Sequence, residues 1–406
     1  MNALIQLVEH KESDPITLSV EERDRITRLL PRATITPVPG SSDGYTINPR
    51  NAVGLVNTGE TAIQIAPKIG IARALFLVTY ALDPRAWKDH DVGAASDASL
   101  NEAIAIPFLR HARNAVRRHV LHGYRSIDDS LHGIRGRVRF SDQLRRHQRL
   151  SVPVEVTYDE HTPDVIENQL LLAALDKLRR LGRLPDQLQH ELAQLTRTFA
   201  DVTLQHFRPQ AVPRPTINRL NSHYAPALTL ARLILTNETL ELDTGSQNSN
   251  GVLFDMANVF ETFVHTALRE ELGLSERQFP RGRPPGGLYL DHARHVRLEP
   301  DISWWEQGTC CLVGDVKYKR TTTGDGNNAD LYQVLAYAKA TQLDNATLIY
   351  ASTEAETATH RTPDGTTLHV EALDLDGEPN EVLEEISEIA SRLRERRAVR
   401  PLSAIA

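Results

Sequence analysis

The stretch "LEPDISWWEQGTCCLVGDVKYKR" runs from Leu298 to Arg320, and its reading decides what the C-terminal part of this chain is. It reads as a hairpin, with "HVRLEPDISWW" as the first strand, "EQGT" as the turn and "CCLVGDVKYKR" as the second strand. Alternate residues of a strand share a face, so Asp315 and Lys317 fall on one side while Leu312, Val316 and Tyr318 take the other, toward a core. With the turn near Gly308, Asp301 falls roughly opposite Asp315. Strand interiors rarely hold two acids and a lysine without a task for them.

Two carboxylates and an ammonium on one face suit metal-assisted phosphodiester hydrolysis. Mg²⁺ is a hard cation that takes a couple of carboxylates together with waters and substrate phosphate. It polarises a phosphoryl oxygen and acidifies a bound water, while a nearby lysine orients or deprotonates that water and offsets transition-state charge. Pro-Asp, a spacer and then Asp-X-Lys resembles the PD-(D/E)XK nuclease signature. Upstream, "FDMANVFETFVHTALREEL" predicts a helix that buries Phe260, Phe263, Val264 and Ala267 and carries Glu261 at the margin of that face. Such nucleases commonly place an acid on the helix before the core sheet. Downstream, "DLYQVLAYAKAT" predicts a helix on which Gln333 and Tyr337, four apart, share a face. Gln-X-X-X-Tyr after Asp-X-Lys resembles the RecB-like branch of these enzymes. The resemblance implies Asp301, Asp315 and Glu261 as ligands of Mg²⁺ or Mn²⁺, with Lys317, Gln333 and Tyr337 completing the catalytic set. The plainer reading keeps Asp301 as a strand-end turn acid, Asp315 and Lys317 as an exposed edge-strand pair, Glu261 as a solvated helix acid and Tyr337 as a core residue.

Composition narrows the alternatives. Lys plus Arg number 46 against 53 Asp plus Glu, a formal net charge of −7, so any nucleic-acid contact must come from local patches. The two cysteines, Cys310 and Cys311, are adjacent and point to opposite faces of a strand, which argues against an ordinary disulfide between them and fits a reducing cytoplasm. Two are too few for a four-cysteine zinc site or a four-thiolate iron–sulfur cluster. The N-terminus lacks a basic region followed by a long apolar one, and the longest apolar run, Ile71 to Leu82, contains Arg73 and is too short to span a bilayer. A cytoplasmic protein without membrane contact is expected. The chain carries neither a P-loop nor a His-Glu-x-x-His zinc motif, and its 16 histidines are scattered.

At 406 residues the chain is long for one core. Residues 1–100 read as a β-rich N-terminal domain with short β-branched segments ("ATITPV", "GYTINP", "AVGLVN", "TAIQIAPKIG"), a helix over Ala72–Leu82 and a loop over 83–101. Residues 101–245 read as a basic, helical middle region. Its first helix spans Ile104–His122, with Phe108, Ala112, Val116 and Val120 recurring four apart and Arg110, Arg113, Arg117 and Arg118 off that stripe. In "GIRGRVRF", Arg135, Arg137 and Arg139 alternate as on a strand, and Arg145, Arg146 and Arg149 follow. These arginines, like Lys319 and Arg320 beyond the hairpin, read either as solvated faces or as DNA phosphate contacts. Helices over Glu167–Gly182, Pro185–Asp201 and Ala225–Leu235 come next, and the polar run Asp243–Gly251 marks a boundary. Residues 246–406 then form the nuclease-like domain, closed by an amphipathic helix in "EVLEEISEIASRLRERRA".

The order of these segments resembles the McrC family, the nuclease subunits of McrBC-type modification-dependent restriction systems. The resemblance rests on "AVGLVNTGETAIQIAPKIG", "GIRGRVRF", "YDEHTPDVIENQLLLAAL", "INRLNSHYAPALTLARLIL", "FDMANVFETFV", "LEPDI", "VGDVKYK" and "DLYQVLAYA". One departure is Ile166-Glu167-Asn168-Gln169, where the family usually has Pro-Glu-Asn-Arg. The resemblance implies a mixed α+β chain with a C-terminal PD-(D/E)XK restriction-endonuclease-like α/β core. It also implies a partner, a McrB-like AAA+ GTPase hexamer that recognises modified DNA and translocates. The N-terminal region would contact that motor, and the chain would stimulate its GTP hydrolysis and cut the DNA. The rival readings are a stand-alone RecB-like repair nuclease and an inactive scaffold that binds DNA or activates a motor.

Overall fold

The structure is a computed structural model that describes residues 3–57, 61–82, 84, 100–147, 152–180, 184–236, 250–284, 286–319, 327–351 and 357–398. These residues are mixed α+β, as expected, and divide into two compact units, 1–100 with 253–406 and 101–252. No helix among them is long and apolar enough to cross a membrane.

The N-terminal segment holds β1 (Ala3–Val8), β2 (Ile16–Thr17), α1 (Val20–Leu29), β3 (Thr34–Pro37), β4 (Gly44–Asn48), β5 (Ala52–Asn57), β6 (Thr61–Ala66) and α2 (Ile71–Leu82). Strand β6 runs parallel to β1 and antiparallel to β5, while β4 lies between β2 and β3. A capping box starts α1: the Ser19 hydroxyl accepts from the Glu22 amide and the Glu22 carboxylate accepts from the Ser19 amide.

Residues 101–252 contain most of α3 (Leu100–Val116), then β7 (Gly123–Leu131), β8 (Arg137–Val138), α4 (Phe140–His147), β9 (Val154–Thr162), α5 (Ile166–Arg180), α6 (Asp186–Arg197) and α7 (Ala225–Thr236). The antiparallel sheet has β9 between β7 and β8, and Leu171, Leu175, Leu230 and Ile234 bury the facing sides of α5 and α7. The helix expected to reach His122 stops at Val116. Tertiary contacts override the local periodicity there: the Leu121 amide donates to the Tyr224 hydroxyl (2.9 Å) and its carbonyl accepts from Asn168 Nδ2 (2.7 Å), which holds the chain extended. The expected strand through Arg135, Arg137 and Arg139 shrinks to Arg137–Val138. Gly136 just before it has φ +72°, and a Cβ there would collide with the Thr157 carbonyl. The expected boundary at Asp243–Gly251 and the loop over 83–101 fall largely outside the described residues.

The chain then forms β10 (Asn250–Asp255), α8 (Met256–Leu272), β11 (Leu288–Tyr289), β12 (Arg297–Leu298), β13 (Ile302–Glu306), β14 (Thr309–Lys317), α9 (Asn328–Thr341), β15 (Asn345–Ala351), β16 (Ala358–Arg361), β17 (Thr367–Leu373) and α10 (Pro379–Arg396). Five strands make a mixed sheet in the order β13-β14-β15-β17-β16, with β14, β15 and β17 parallel. Residues on both faces of β14 are buried, so its near-continuous apolar run is that of a central strand. Helix α10 is pinned to β17 by Arg392 and Arg396, which reach the buried Glu371 carboxylate at 3.0 and 2.6 Å.

The N-terminal strands fall in one compact unit with residues 253–406. Helix α2 is apolar nearly all round, with Ala74 to Tyr80 buried throughout, and such a helix needs cover on every side. Phe76 and Tyr80 meet Phe263 of α8 edge-on, with ring centroids 5.2 and 5.3 Å apart. Strand β10 extends the N-terminal sheet beside β5. The hydroxyl of Tyr318, just past β14, donates to the Glu9 carboxylate (3.3 Å), which also accepts the Lys68 amide (3.1 Å). The Lys68 ammonium lies 3.8 Å from the centre of the Tyr318 ring. Burial pushes the Glu9 carboxyl up to about 7, against the pull of Lys68.

His265 of α8 is 4% exposed, stacks on Phe279 and bonds the Phe279 carbonyl through Nε2 at 3.1 Å. Burial lowers its pKa from 6.5 to about 4. A histidine depressed in the folded state contributes stability that is full above its unfolded pKa and is lost as the pH falls through the folded one. Between pH 6.5 and 4 the wild type therefore loses about 3 kcal/mol through this side chain. Chemical denaturation across that window checks the prediction, and His265→Gln should show a flatter dependence.

Candidate active site

The site is built where β13 begins and β14 ends. The paired register runs from Glu306 opposite Thr309 to Ile302 opposite Gly314, with a bulge between Trp304 and Trp305. One step further along this register, Asp301 stands opposite Asp315. Pro300 has no amide to offer the ladder, and β13 starts only at Ile302, so the expected first strand is broken before Asp301. Asp301 compensates with its side chain: Oδ2 accepts the Val316 amide at 3.0 Å. The acid of the Pro-Asp pair thus satisfies a backbone donor of β14 while lying beside the Asp315 carboxylate.

Asp315 is 1% exposed, and Lys317, two residues on and on the same face, forms a direct ion pair with it. Burial pushes the Asp315 carboxyl up to about 8, the Asp301 charge adds to this, and Lys317 opposes it. Burial acts to lower the Lys317 pKa, but the charges of Asp315, Asp301 and Glu261 outweigh it and the net shift is upward. Glu261 sits on the second turn of α8, whose N-terminus is capped by Asp255. Its carboxyl is pushed up to about 7 by burial and then by Asp301, against Lys317, Arg281 and Arg32. The Arg281 guanidinium lies 3.8 Å from Glu261 and donates to Asn258 Oδ1 at 2.6 Å.

Helix α9 covers the Asp315 face. Val334, Tyr337 and Ala338 pack into one cluster with Val313. Gln333 Nε2 donates to the Tyr337 hydroxyl (2.6 Å), which donates in turn to the Glu299 carbonyl (3.3 Å), two residues before Asp301. Burial first, and the charge of Asp315 second, raise the pKa of that hydroxyl and keep it a donor. The structure therefore brings Asp301, Asp315, Lys317 and Tyr337 together, with Gln333 behind Tyr337 and Glu261 at the rim.

Among the described residues, no three His, Cys, Asp or Glu side chains are gathered closely enough to form a ready-made metal cage. Asp301 and Asp315 are the close pair. Two hard oxygen donors fit Mg²⁺ or Mn²⁺, which fill their remaining positions with water and phosphate, and the pair includes no thiolate or imidazole to favour a softer metal.

The arginines read as phosphate contacts are less free than their sequence suggests. Arg139 is ion-paired with Asp128 (3.4 Å) and with Asp142, and Arg135 lies 4.1 Å from the centre of the Tyr158 ring. Arg137 is exposed. Lys319 is held by both oxygens of Asp330 at 3.0 and 3.1 Å. Arg320 lies outside the described residues. Of the acids that pair these groups, Asp142 is local to Arg139, but Asp330 is 11 residues from Lys319 and Asp128 lies on another strand, beyond the reach of a local charge count. Conversely, sequence reasoning missed Arg281; the only signal for it was the Gly/Pro-rich "PRGRPPGG" of Pro280–Gly287.

The C-terminal mixed sheet thus has Asp301 just ahead of β13 and Asp315 and Lys317 on β14. The model of the McrBC 5-methylcytosine restriction system component family matches residues 47–351, well over half of the chain, and the chain belongs to that family. The resemblance read from the sequence is thereby borne out. Among solved structures, the chain is similar to one from a half-complex of a tetradecameric Thermococcus gammatolerans assembly of McrB AAA+ hexamers with bound McrC. The match has a TM-score of 0.59 at 16% identity and covers 96% of this chain and 100% of that one. A chain of the Thermococcus gammatolerans McrBC complex matches with a TM-score of 0.41 at 18% identity, over 66% of this chain and 88% of that one. No curated protein sequence matches the chain.

Gly314 tests how tightly the site strand is held. A Cβ at this position would sit 2.5 Å from the Thr347 carbonyl oxygen of β15. Gly314→Ala should therefore push β14 from β15 and destabilise the fold by about 1–3 kcal/mol. A denaturant midpoint equal to the wild type's would refute so close an approach.

Proposed function

We propose that the chain is the metal-dependent DNA endonuclease subunit of a McrBC-like restriction system, with a PD-(D/E)XK core. In this reading it cuts modified DNA together with a McrB-like AAA+ GTPase hexamer whose hydrolysis it stimulates. The observation that carries the proposal is the cross-strand placement of Asp301 against Asp315 with Lys317 paired to the latter. Membership of the McrBC family supports the restriction context. The McrB hexamers with bound McrC in the similar Thermococcus gammatolerans assembly support the choice of partner.

In this reading Asp301 and Asp315 would hold Mg²⁺ or Mn²⁺, with Glu261 contributing from the rim. The bound ion supplies polarisation of a phosphoryl oxygen and acidification of a water. Lys317 donates hydrogen bonds toward the attacking water and the phosphate oxygens, where negative charge grows. Hydrolysis joins the water oxygen to phosphorus and breaks the bond to the leaving sugar oxygen. Tyr337 fixes the backbone at Glu299 and so the approach of Asp301, while Gln333 orients the Tyr337 hydroxyl.

Asp315→Ala and Lys317→Ala should each abolish cleavage of modified DNA, a loss of at least about a hundredfold. Both should leave association with the GTPase and its stimulated hydrolysis near wild-type levels, because neither side chain is assigned to the partner contact. Cleavage and GTPase assays on the reconstituted complex check both halves. Cutting by the wild type with Mg²⁺ but without any nucleotide or partner would favour a stand-alone nuclease. Undiminished restriction by Asp315→Ala would leave only the scaffold.

A further inference from the structure

An acidic chain that cuts DNA must offset its own long-range repulsion close to the site. The middle-unit arginines are partly neutralised by Asp128, Asp142 and Glu155, and Lys319 is taken by Asp330. The unit that carries the carboxylates has another concentration of positive charge, in the Gly/Pro-rich arm between α8 and β13. Arg281 lies against Asn258 and Glu261 on α8. Arg283 and Arg297 converge on one oxygen of Glu299, at 3.2 and 3.3 Å, each through its Nε. Their side chains are 72% and 42% exposed. Arg32, 74% exposed, pairs with Asp255 at the start of α8 and acts on Glu261 together with Arg281.

We infer that Arg283 and Arg297, with Arg281 and Arg32 beside Glu261, form a phosphate-binding track that holds the backbone of duplex DNA on the carboxylate side of this unit. The inference rests on the nuclease reading for its ligand and adds where that ligand is held. Two guanidiniums sharing one carboxylate keep a net positive charge. Pairing through Nε leaves the Nη groups, which grip phosphate oxygens as a fork, for an incoming backbone. The position is also fixed relative to the chemistry. Glu299, which gathers Arg283 and Arg297, stands two residues before Asp301, and its carbonyl is held by Tyr337. A strand of DNA phosphates on these arginines would thus be indexed to the Asp301–Asp315 pair. Such contacts position the duplex without reading its sequence.

The test uses the full-length protein and a fluorescently labelled duplex in EDTA, so that binding is measured without cutting, from low to physiological salt. Arg283→Gln with Arg297→Gln should lower affinity on the order of tenfold at low salt and reduce the slope of log affinity against log salt by about 1.8, two phosphate contacts' worth. Arg283→Lys with Arg297→Lys should keep most of the slope, which separates lost charge from a disturbed arm. An unchanged slope in the Gln variant overturns the track. So does equal loss in the Lys variant, and so does a slope that falls only when Arg135, Arg137 and Arg139 are changed to Gln. Cleavage by the wild-type complex with Mg²⁺ is scored separately. Cutting with an unchanged slope removes the track and leaves the nuclease reading, whereas a reduced slope without any cutting removes the nuclease reading and leaves a DNA-binding surface.

Discussion

The register of the β13–β14 hairpin is the constraint on which the site depends. Its tight turn, with Gln307 at φ 49° and Gly308 at φ 84°, sets Glu306 opposite Thr309. A regular ladder from that turn would place Asp301 against Gly314. The carboxylate of Asp301 would then project from the face opposite to Asp315, because side chains alternate along each strand. The bulge opposite Trp304 and Trp305 inserts one extra residue into β14 and shifts the pairing, so that Ile302 faces Gly314 and the two acids come to the same face. The small side chains of Cys310 and Cys311, both buried, occupy this bulged stretch. Lys317, the Val316 amide and the helix carrying Tyr337 are all placed relative to that one-residue offset.

Glu371 and Asp330 differ from the acids around β14, and the difference is electrostatic. Glu371 faces two guanidiniums, and Asp330 has the Lys319 ammonium with the Tyr350 hydroxyl (2.8 Å). These are matched pairs that tie helices to strands. Around β14 the balance differs, with Asp301, Asp315 and Glu261 opposed closely by Lys317 and Arg281. Burying like charges side by side is costly unless a cation relieves them. That excess is a property a stability argument does not supply, and it sits where the proposed cleavage would use it.

Much of this was legible in the sequence for a physical reason: periodicity and spacing are local. The alternation in "VGDVKYK" placed Asp315 and Lys317 on one face, and the four-residue spacing of Gln333 and Tyr337 predicted a contact now seen at 2.6 Å. Helices α5, α6 and α7 appear where their apolar stripes predict them, with ends displaced. What was not legible depends on partners far along the chain. The Arg139–Asp128 pair needs β7, which lies across β9 from β8, and the early end of α3 needs Tyr224 and Asn168. The union of α2 with α8 needs Phe263, some 190 residues beyond Phe76. The bulge that aligns Asp301 with Asp315 leaves no trace in residue type beyond two small side chains.

The interruption of one unit by another has a consequence for the order of synthesis. Residues 1–100 leave the ribosome ahead of residues 101–252, whereas the strands and helices that complete their fold lie after Leu253. At typical elongation rates of about 5–20 residues per second, the N-terminal strands wait roughly ten seconds or more for β10 and α8, and longer for β14. The inserted unit has all of its own partners within a continuous stretch and can close first. During that interval α2, apolar on nearly every side, is exposed without its cover. The nascent chain is therefore most vulnerable to aggregation while its middle is already finished, and slowing translation after residue 252 would prolong that exposure.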